Sequence, residues 1–134
     1  MSLQVELVSP EQVAFSGEAE MVVCRTRGGG DIAFQPGHVP FVGSLVTAPV
    51  ILFDAKGDKT YFAVHGGFVQ LDEDRVAVLS DVCELQEEID ESRAQTALER
   101  AEAALAADAE DSEAAAAARR ASVRLDVVRG AVAV

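Results

Sequence analysis

The chain has no tryptophan and only one tyrosine and six phenylalanines in 134 residues. Its core must therefore be packed mostly by Val, Leu, Ile, Phe and Ala. Cysteine is also scarce. Cys24 and Cys83 lie far apart, each in an apolar run. One pair carries no framework pattern, so the reading is two reduced core thiols of a cytosolic protein, with no sequence support for a disulfide. Basic residues are few: 11 Lys and Arg stand against 23 Asp and Glu, a formal net charge of −12. Such a chain repels phosphate backbones and anionic headgroups, which argues against nucleic acid and against direct membrane insertion or adsorption. The default meaning of the acidity is solubility. No apolar run approaches the ~18 residues that span a bilayer. Met1 to Glu6 has neither the basic start nor the apolar stretch of a signal peptide.

Sites are equally sparse. His38 and His65 are isolated, with no second His or Cys at metal-ligand spacing. Gly28, Gly29 and Gly30 lack a Gly-Lys-Ser/Thr ending and precede no helix, so they read as a mobile turn rather than a phosphate loop. No nucleophile elbow, Cys/His pair or acid/base cluster stands out, and the carboxylates read as solvated faces. The chain is expected to be non-catalytic.

What is present falls into two parts. Leu3, Val5 and Leu7 alternate with Gln4 and Glu6, the period of a half-buried strand. Val13 to Phe15, Met21 to Cys24, Ile32 to Phe34, Thr47 to Phe53, Tyr61 to Val64, Gly67 to Leu71 and Val76 to Val82 continue the series. They are separated by Ser9-Pro10-Glu11, the glycine triplet, Pro36-Gly37, Asp54 to Asp58 and Asp72-Glu73-Asp74. Pro49 suggests an edge or a bulge in its strand, and Gly66-Gly67 a bulge or a close backbone approach. Short strands with frequent turns point to an antiparallel β-sandwich or barrel.

After Glu84 glycine vanishes until Gly130 and alanine takes over. Ala94, Ala97, Leu98, Ala101 and Leu105 fall on one helical face, with Asp90 as N-cap. Asp108 to Ser112 reads as a short turn with Asp111 or Ser112 as the next cap. Ala117, Ala121, Leu125 and Val128 stripe a second helix, favoured at its end by Arg124 and Arg129 and stopped by Gly130. The division is a sandwich over residues 1–86 and an antiparallel two-helix hairpin over 87–134. An alanine seam buries little surface, so the hairpin must lean on something else, either permanently or as a mobile element.

Three stretches together resemble the epsilon subunit of the rotary, proton-translocating ATP synthases. Gly30-Asp31-Ile32-Ala33-Phe34-Gln35-Pro36-Gly37-His38-Val39-Pro40 resembles its Gly-Glu-Leu/Ile-Gly…Pro-Gly-His-Ala-Pro signature. His65-Gly66-Gly67-Phe68 and Val76-Ala77-Val78-Leu79-Ser80-Asp81 resemble its Ser-Gly-Gly-Phe and Val-Thr-Val-Leu-Ala-Asp strands. Ile89-Asp90-Glu91-Ser92-Arg93-Ala94 is similar to its Ile/Leu-Asp-x-x-Arg-Ala start of the C-terminal hairpin. The resemblance implies a sandwich of about ten strands that docks on the gamma subunit and the c-ring. It also implies a helical hairpin that folds down on the sandwich or extends toward the alpha/beta head to inhibit ATP hydrolysis. The place implied is the cytoplasmic face of the bacterial membrane.

The same resemblance implies site residues. Asp31 sits where relatives carry an acidic residue facing the c-ring, and His38 is placed in the same surface loop; each also reads as an ordinary turn residue. No cofactor is required, but ATP is implied as a regulatory ligand, held by Glu84, Ile89, Asp90, Arg93, Ala94, Arg100, Arg120 and Arg124. Arg93 and Arg100 share one helical face, Arg120 and Arg124 another, and folding the hairpin is expected to bring the pairs together around an anion. The competing reading pairs them with Glu87, Glu88, Glu91, Glu99 and Glu102. In the extended state Arg119, Arg120 and Arg124 are implied to meet the beta subunit. The Ala-rich second helix and the uncharged tail Gly130-Ala131-Val132-Ala133-Val134 imply weak inhibition. A free-standing ATP-sensing module is the alternative.

Overall fold

The computed structural model describes residues 2–130; Met1 and tail residues 131–134 lie outside the described residues. Eight strands are followed by two helices: β1 Leu3–Val8, β2 Val13–Ala19, β3 Met21–Thr26, β4 Gly30–Phe34, β5 Phe41–Phe53, β6 Lys59–Asp72, β7 Arg75–Leu79, β8 Cys83–Leu85, α1 Glu91–Ala107 and α2 Ser112–Arg129. The strands are bonded in the order β2-β1-β7-β6-β5-β3-β4, with β8 on β6. Pairing is antiparallel except between β1 and β7.

The strand count is eight rather than about ten, and one expected break is bridged. Tyr61–Val64 and Gly67–Leu71 belong to one 14-residue strand, β6, partnered by the 13-residue β5. The β5–β6 ladder omits only the step opposing Val46 to Gly66. Across that step the core-facing set changes phase. Phe62 and Val64 face the core before it, Val69 and Leu71 after it; on β5 the set changes from Leu45 to Val50 and Leu52. Gly66 and Gly67 take left-handed φ values of 81° and 114°, which lets the chain shift phase without ending the strand.

Pro49 does not mark an edge. It is buried in β5, between β3 and β6. The β3–β5 register shifts between Val23 and Thr26, opposite the Leu45–Ile51 stretch that contains it, so a bulge absorbs the missing N–H. The expected strand Val76–Val82 stops at Leu79. Ser80 turns the chain by accepting from Val82 N and donating to Val82 O, which frees Cys83–Leu85 to pair with β6 as β8.

The main core collects Leu3, Leu7, Phe34, Phe62, Val69, Val78 and their neighbours from nearly every strand. Cys24 and Cys83 are free and buried within it. Burial, aided by nearby carboxylates, pushes both thiols up to about 12, so they stay protonated at neutral pH.

The hairpin is folded down on the sheet. Asp90 caps α1 through Arg93 N, Asp111 caps α2 through Ala114 N, and Gly130 ends α2 in the left-handed conformation. Ala94 and Ala101 of α1 and Ala114, Ala121 and Leu125 of α2 are buried, while the rest of the expected stripes is half-buried. The alanine pattern concealed a second buried face on α2. Val123 and Val127 pack on Ala63, with Tyr61 and Ile89 at the rim. This explains why Thr47–Phe53 lacks alternation: α2 covers the other face of the long hairpin.

Gly67 is the least replaceable glycine. A Cβ there meets Leu79 O at 2.1 Å and Ser80 Cα at 2.9 Å, whereas at Gly28 it meets nothing within 4 Å. Gly67→Ala is expected to destabilise the fold by about 3 kcal/mol or more and Gly28→Ala by about 1 kcal/mol. Urea unfolding of the two variants checks the contrast.

Candidate functional site

The seam between α2 and the sandwich contains a compact charged cluster around one carboxylate. Glu84 on β8 points its Oε1 at two donors: Nε2 of His65 on β6 at 2.7 Å, and Nε of Arg124 on α2 at 2.8 Å. The His65 side chain is 4% exposed and that of Glu84 26%. Burial alone would raise the Glu84 pKa. The hydrogen bonds from His65 and Arg124, with their charge, outweigh it and hold the carboxyl below its ordinary value of 4.5. Gln86, just after β8, adds a second tie: its Nε2 donates to Val127 O at 2.9 Å and Val128 O at 3.3 Å, carbonyls of the last turn of α2. Arg129 then joins the helices, donating to Glu91 Oε2 at 2.8 Å and Gln95 Oε1 at 3.4 Å.

Beside this latch lies a cavity of about 270 Å³, lined by Glu84, Glu88, Ile89, Asp90, Arg93, Ala94, Ala97 and Arg124. Six of the eight residues implied for ATP thus meet in one place. The other two do not. Arg100 lines an adjoining cavity of about 430 Å³ that shares Asp90, Arg93 and Ala97 with the first. Arg120 turns away to Glu113 Oε1 at 3.1 Å. Of the glutamates in the competing reading, Glu91 alone takes an arginine among the described residues, and that arginine is Arg129. Arg93 and Arg100 form no ion pair among the described residues. The first cavity is slightly below the size of ordinary small-molecule sites, and with its neighbour it falls within that range. Three carboxylates face two guanidiniums in the first cavity, so a triphosphate needs Arg100, Arg120 or both turned inward.

Asp31 and His38 are not in one loop. Asp31 is the second residue of β4, paired with Arg25 at 2.9 Å, both side chains about half exposed (49% and 47%). His38 lies four residues beyond the far end of β4. Its Nδ1 donates to Val39 O at 2.6 Å and its ring packs edge-on against Phe34. A strand therefore separates them. Arg119 is exposed on the flank of α2 away from the latch.

Sequence reading missed His65, which it took as isolated, and took Glu84 only as one of the ATP-motif residues. The one signal was that His65 stands where the resembled motif has Ser. Nothing local marks the meeting of residues 19 and 40 positions apart.

The comparisons agree with this architecture. Residues 2–86 match the family model described as ATP synthase, Delta/Epsilon chain, beta-sandwich domain. An ATP synthase epsilon chain of Streptomyces griseus is 44% identical over 126 residues, covering 94% of both chains. One from Brevibacillus brevis is 46% identical over 101 residues, 75% of both. The chain belongs to the ATP synthase epsilon family. A chain in the cryo-EM structure of the Euglena gracilis mitochondrial ATP synthase shares the fold of this epsilon-family chain. It has a TM-score of 0.70 at 20% identity, over 96% of this chain and 78% of that one.

The latch predicts an acid response. Docking adds the Arg124 hydrogen bond and charge, which lower the Glu84 pKa, so this contact contributes fully above the undocked value. It is lost as pH falls through the lower docked value. Labels on Ser122→Cys of α2 and Arg27→Cys of the sandwich, exposed residues that line one cleft, are expected to read one short distance at pH 7 and a spread of longer ones near pH 3. Arg124→Ala at pH 7 is expected to cost docking about 2 kcal/mol, the loss of one charge-assisted hydrogen bond.

Proposed function

We propose that this chain is the non-catalytic epsilon subunit in the central stalk of a proton-translocating ATP synthase, and that its hairpin regulates ATP hydrolysis. The observation that carries the regulatory half is how little holds α2 down. Two valines, one shared carboxylate and one glutamine form the seam. Burying two valines contributes roughly 1.5–3 kcal/mol each, which leaves docking within reach of a ligand or a partner.

In the folded-down state ATP enters the paired cavities on Arg93, Arg100 and Arg124, with Glu84, Ile89, Asp90 and Ala94 as walls and Arg120 swinging in from Glu113. It acts as a regulatory ligand, and the chain needs no cofactor. In the extended state Arg119, Arg120 and Arg124 meet acidic groups of the beta subunit and slow hydrolysis. Arg124 cannot serve both states, so they compete. The sandwich meets the gamma subunit and the c-ring. Support for that docking comes from exposed apolar side chains: Phe68 and Leu79, paired across β6 and β7 and 57% and 48% exposed, with Val39 and Val42. Asp31 is assigned to the c-ring side. No helix among the described residues is long and apolar enough to cross a membrane, and the place proposed is the cytoplasmic face of the cell membrane, on the synthase.

Truncation after Glu88 tests the regulatory role: ATP hydrolysis by the reassembled enzyme is expected to rise, and unchanged hydrolysis refutes an inhibitory hairpin. Calorimetry of the full chain with Mg-free ATP is expected to show saturable binding, weakened about tenfold by Arg93→Ala.

A further inference from the structure

The opposite flank of α2 opens on a larger cleft, of about 830 Å³, between the helix and the sandwich. Arg25 and Arg27 come to it from β3 and the turn that follows, and Arg119 from α2. Asp126 is the sole carboxylate among its lining residues. Three guanidiniums therefore face one carboxylate, in a chain whose acids outnumber its bases 23 to 11. This is the reverse of the balance in the cavity beside the latch. Arg25 is already tied to Asp31, but Arg27 and Arg119 form no ion pair among the described residues.

Like charges gathered from two separate elements repel unless an anion lies between them. Guanidinium forks match phosphate oxygens two at a time, and the hydroxyls of Thr47 and Ser122 line the same cleft as further donors. The volume exceeds what one phosphate fills and suits a ligand carrying several.

We propose that this cleft binds a small polyphosphate anion, clamped between Arg25 and Arg27 of the sandwich and Arg119 of the hairpin. Because its walls come from both units, the site exists only while α2 is docked. By linkage, the anion favours the docked state. That consequence, unlike the binding itself, rests on the hairpin being the regulatory element. His65 is the wall common to both sides: its ring lines this cleft, while its Nε2 holds Glu84 beside the other cavity.

Calorimetric titration of the full chain with inorganic tripolyphosphate, without Mg, tests the site. In the Arg93→Ala background, which disables the cavity beside the latch, saturable binding is expected, weakened about tenfold by either Arg27→Ala or Arg119→Ala, one charge-assisted contact each. Both substitutions are at exposed positions and leave the fold intact. Citrate is expected to bind about tenfold more weakly, since its carboxylates satisfy fewer forks. Absence of saturable heat overturns the proposal. So does binding that survives both substitutions. Loss of binding in Arg93→Ala instead assigns the anion to the cavity beside the latch, which overturns this site and leaves the ATP reading standing. Equal binding of citrate overturns the phosphate assignment.

Discussion

One carboxylate oxygen joins the two halves of this protein. Oε1 of Glu84 accepts from His65 in the sandwich and from Arg124 in the hairpin, and little else polar crosses the seam. A partly buried carboxylate with both donors present is stabilised; with one removed it is left short of partners in a poorly solvated place. Docking is therefore steep in this one contact, although the apolar seam beneath it is small. The hairpin cannot compensate internally. Its helices meet through alanine, which buries little area per residue, and Arg129 with Glu91 is a half-exposed pair of modest worth. Its attachment to the sheet is thus the adjustable part of the structure.

The sequence made much of this legible and hid the rest for physical reasons. Alternation in Leu3, Val5 and Leu7, the caps Asp90 and Asp111 and the stop at Gly130 are local signals, and each appears where its chemistry places it. Strand continuity was not local. Gly66-Gly67 looks like punctuation, yet the long β5 partner carries β6 through it, so two expected strands are one. The run Thr47–Phe53 could not show which face met the core, because both faces are covered. On α2, the alanine stripe toward α1 masked Val123 and Val127, which face the sheet one third of a turn away.

The candidate site followed the same rule. The Ile89-Asp90-Glu91-Ser92-Arg93-Ala94 segment is contiguous, and it does line the cavity beside the latch. Arg100 and Arg120 share faces with Arg93 and Arg124 by spacing alone, but spacing does not fix a rotamer. Glu113 captures Arg120, and Arg100 opens onto the neighbouring cavity. His65 became meaningful only through β8, whose pairing with β6 brings Glu84 beside it. The charge asymmetry across α2, with acids on the latch side and arginines on the other flank, required the folded hairpin to exist at all.

The central claim is that the docked and extended hairpins compete, with Glu84 serving only the docked one. Glu84→Gln keeps the shape of the side chain and removes the charge that holds Arg124, without touching the arginines assigned to the beta subunit. ATP hydrolysis by the reassembled synthase carrying this variant measures the balance directly. A fall below the unsubstituted complex is predicted, because released hairpins extend and inhibit. Equal or higher hydrolysis, with Glu84→Gln shown by distance measurement to be undocked, would contradict the account.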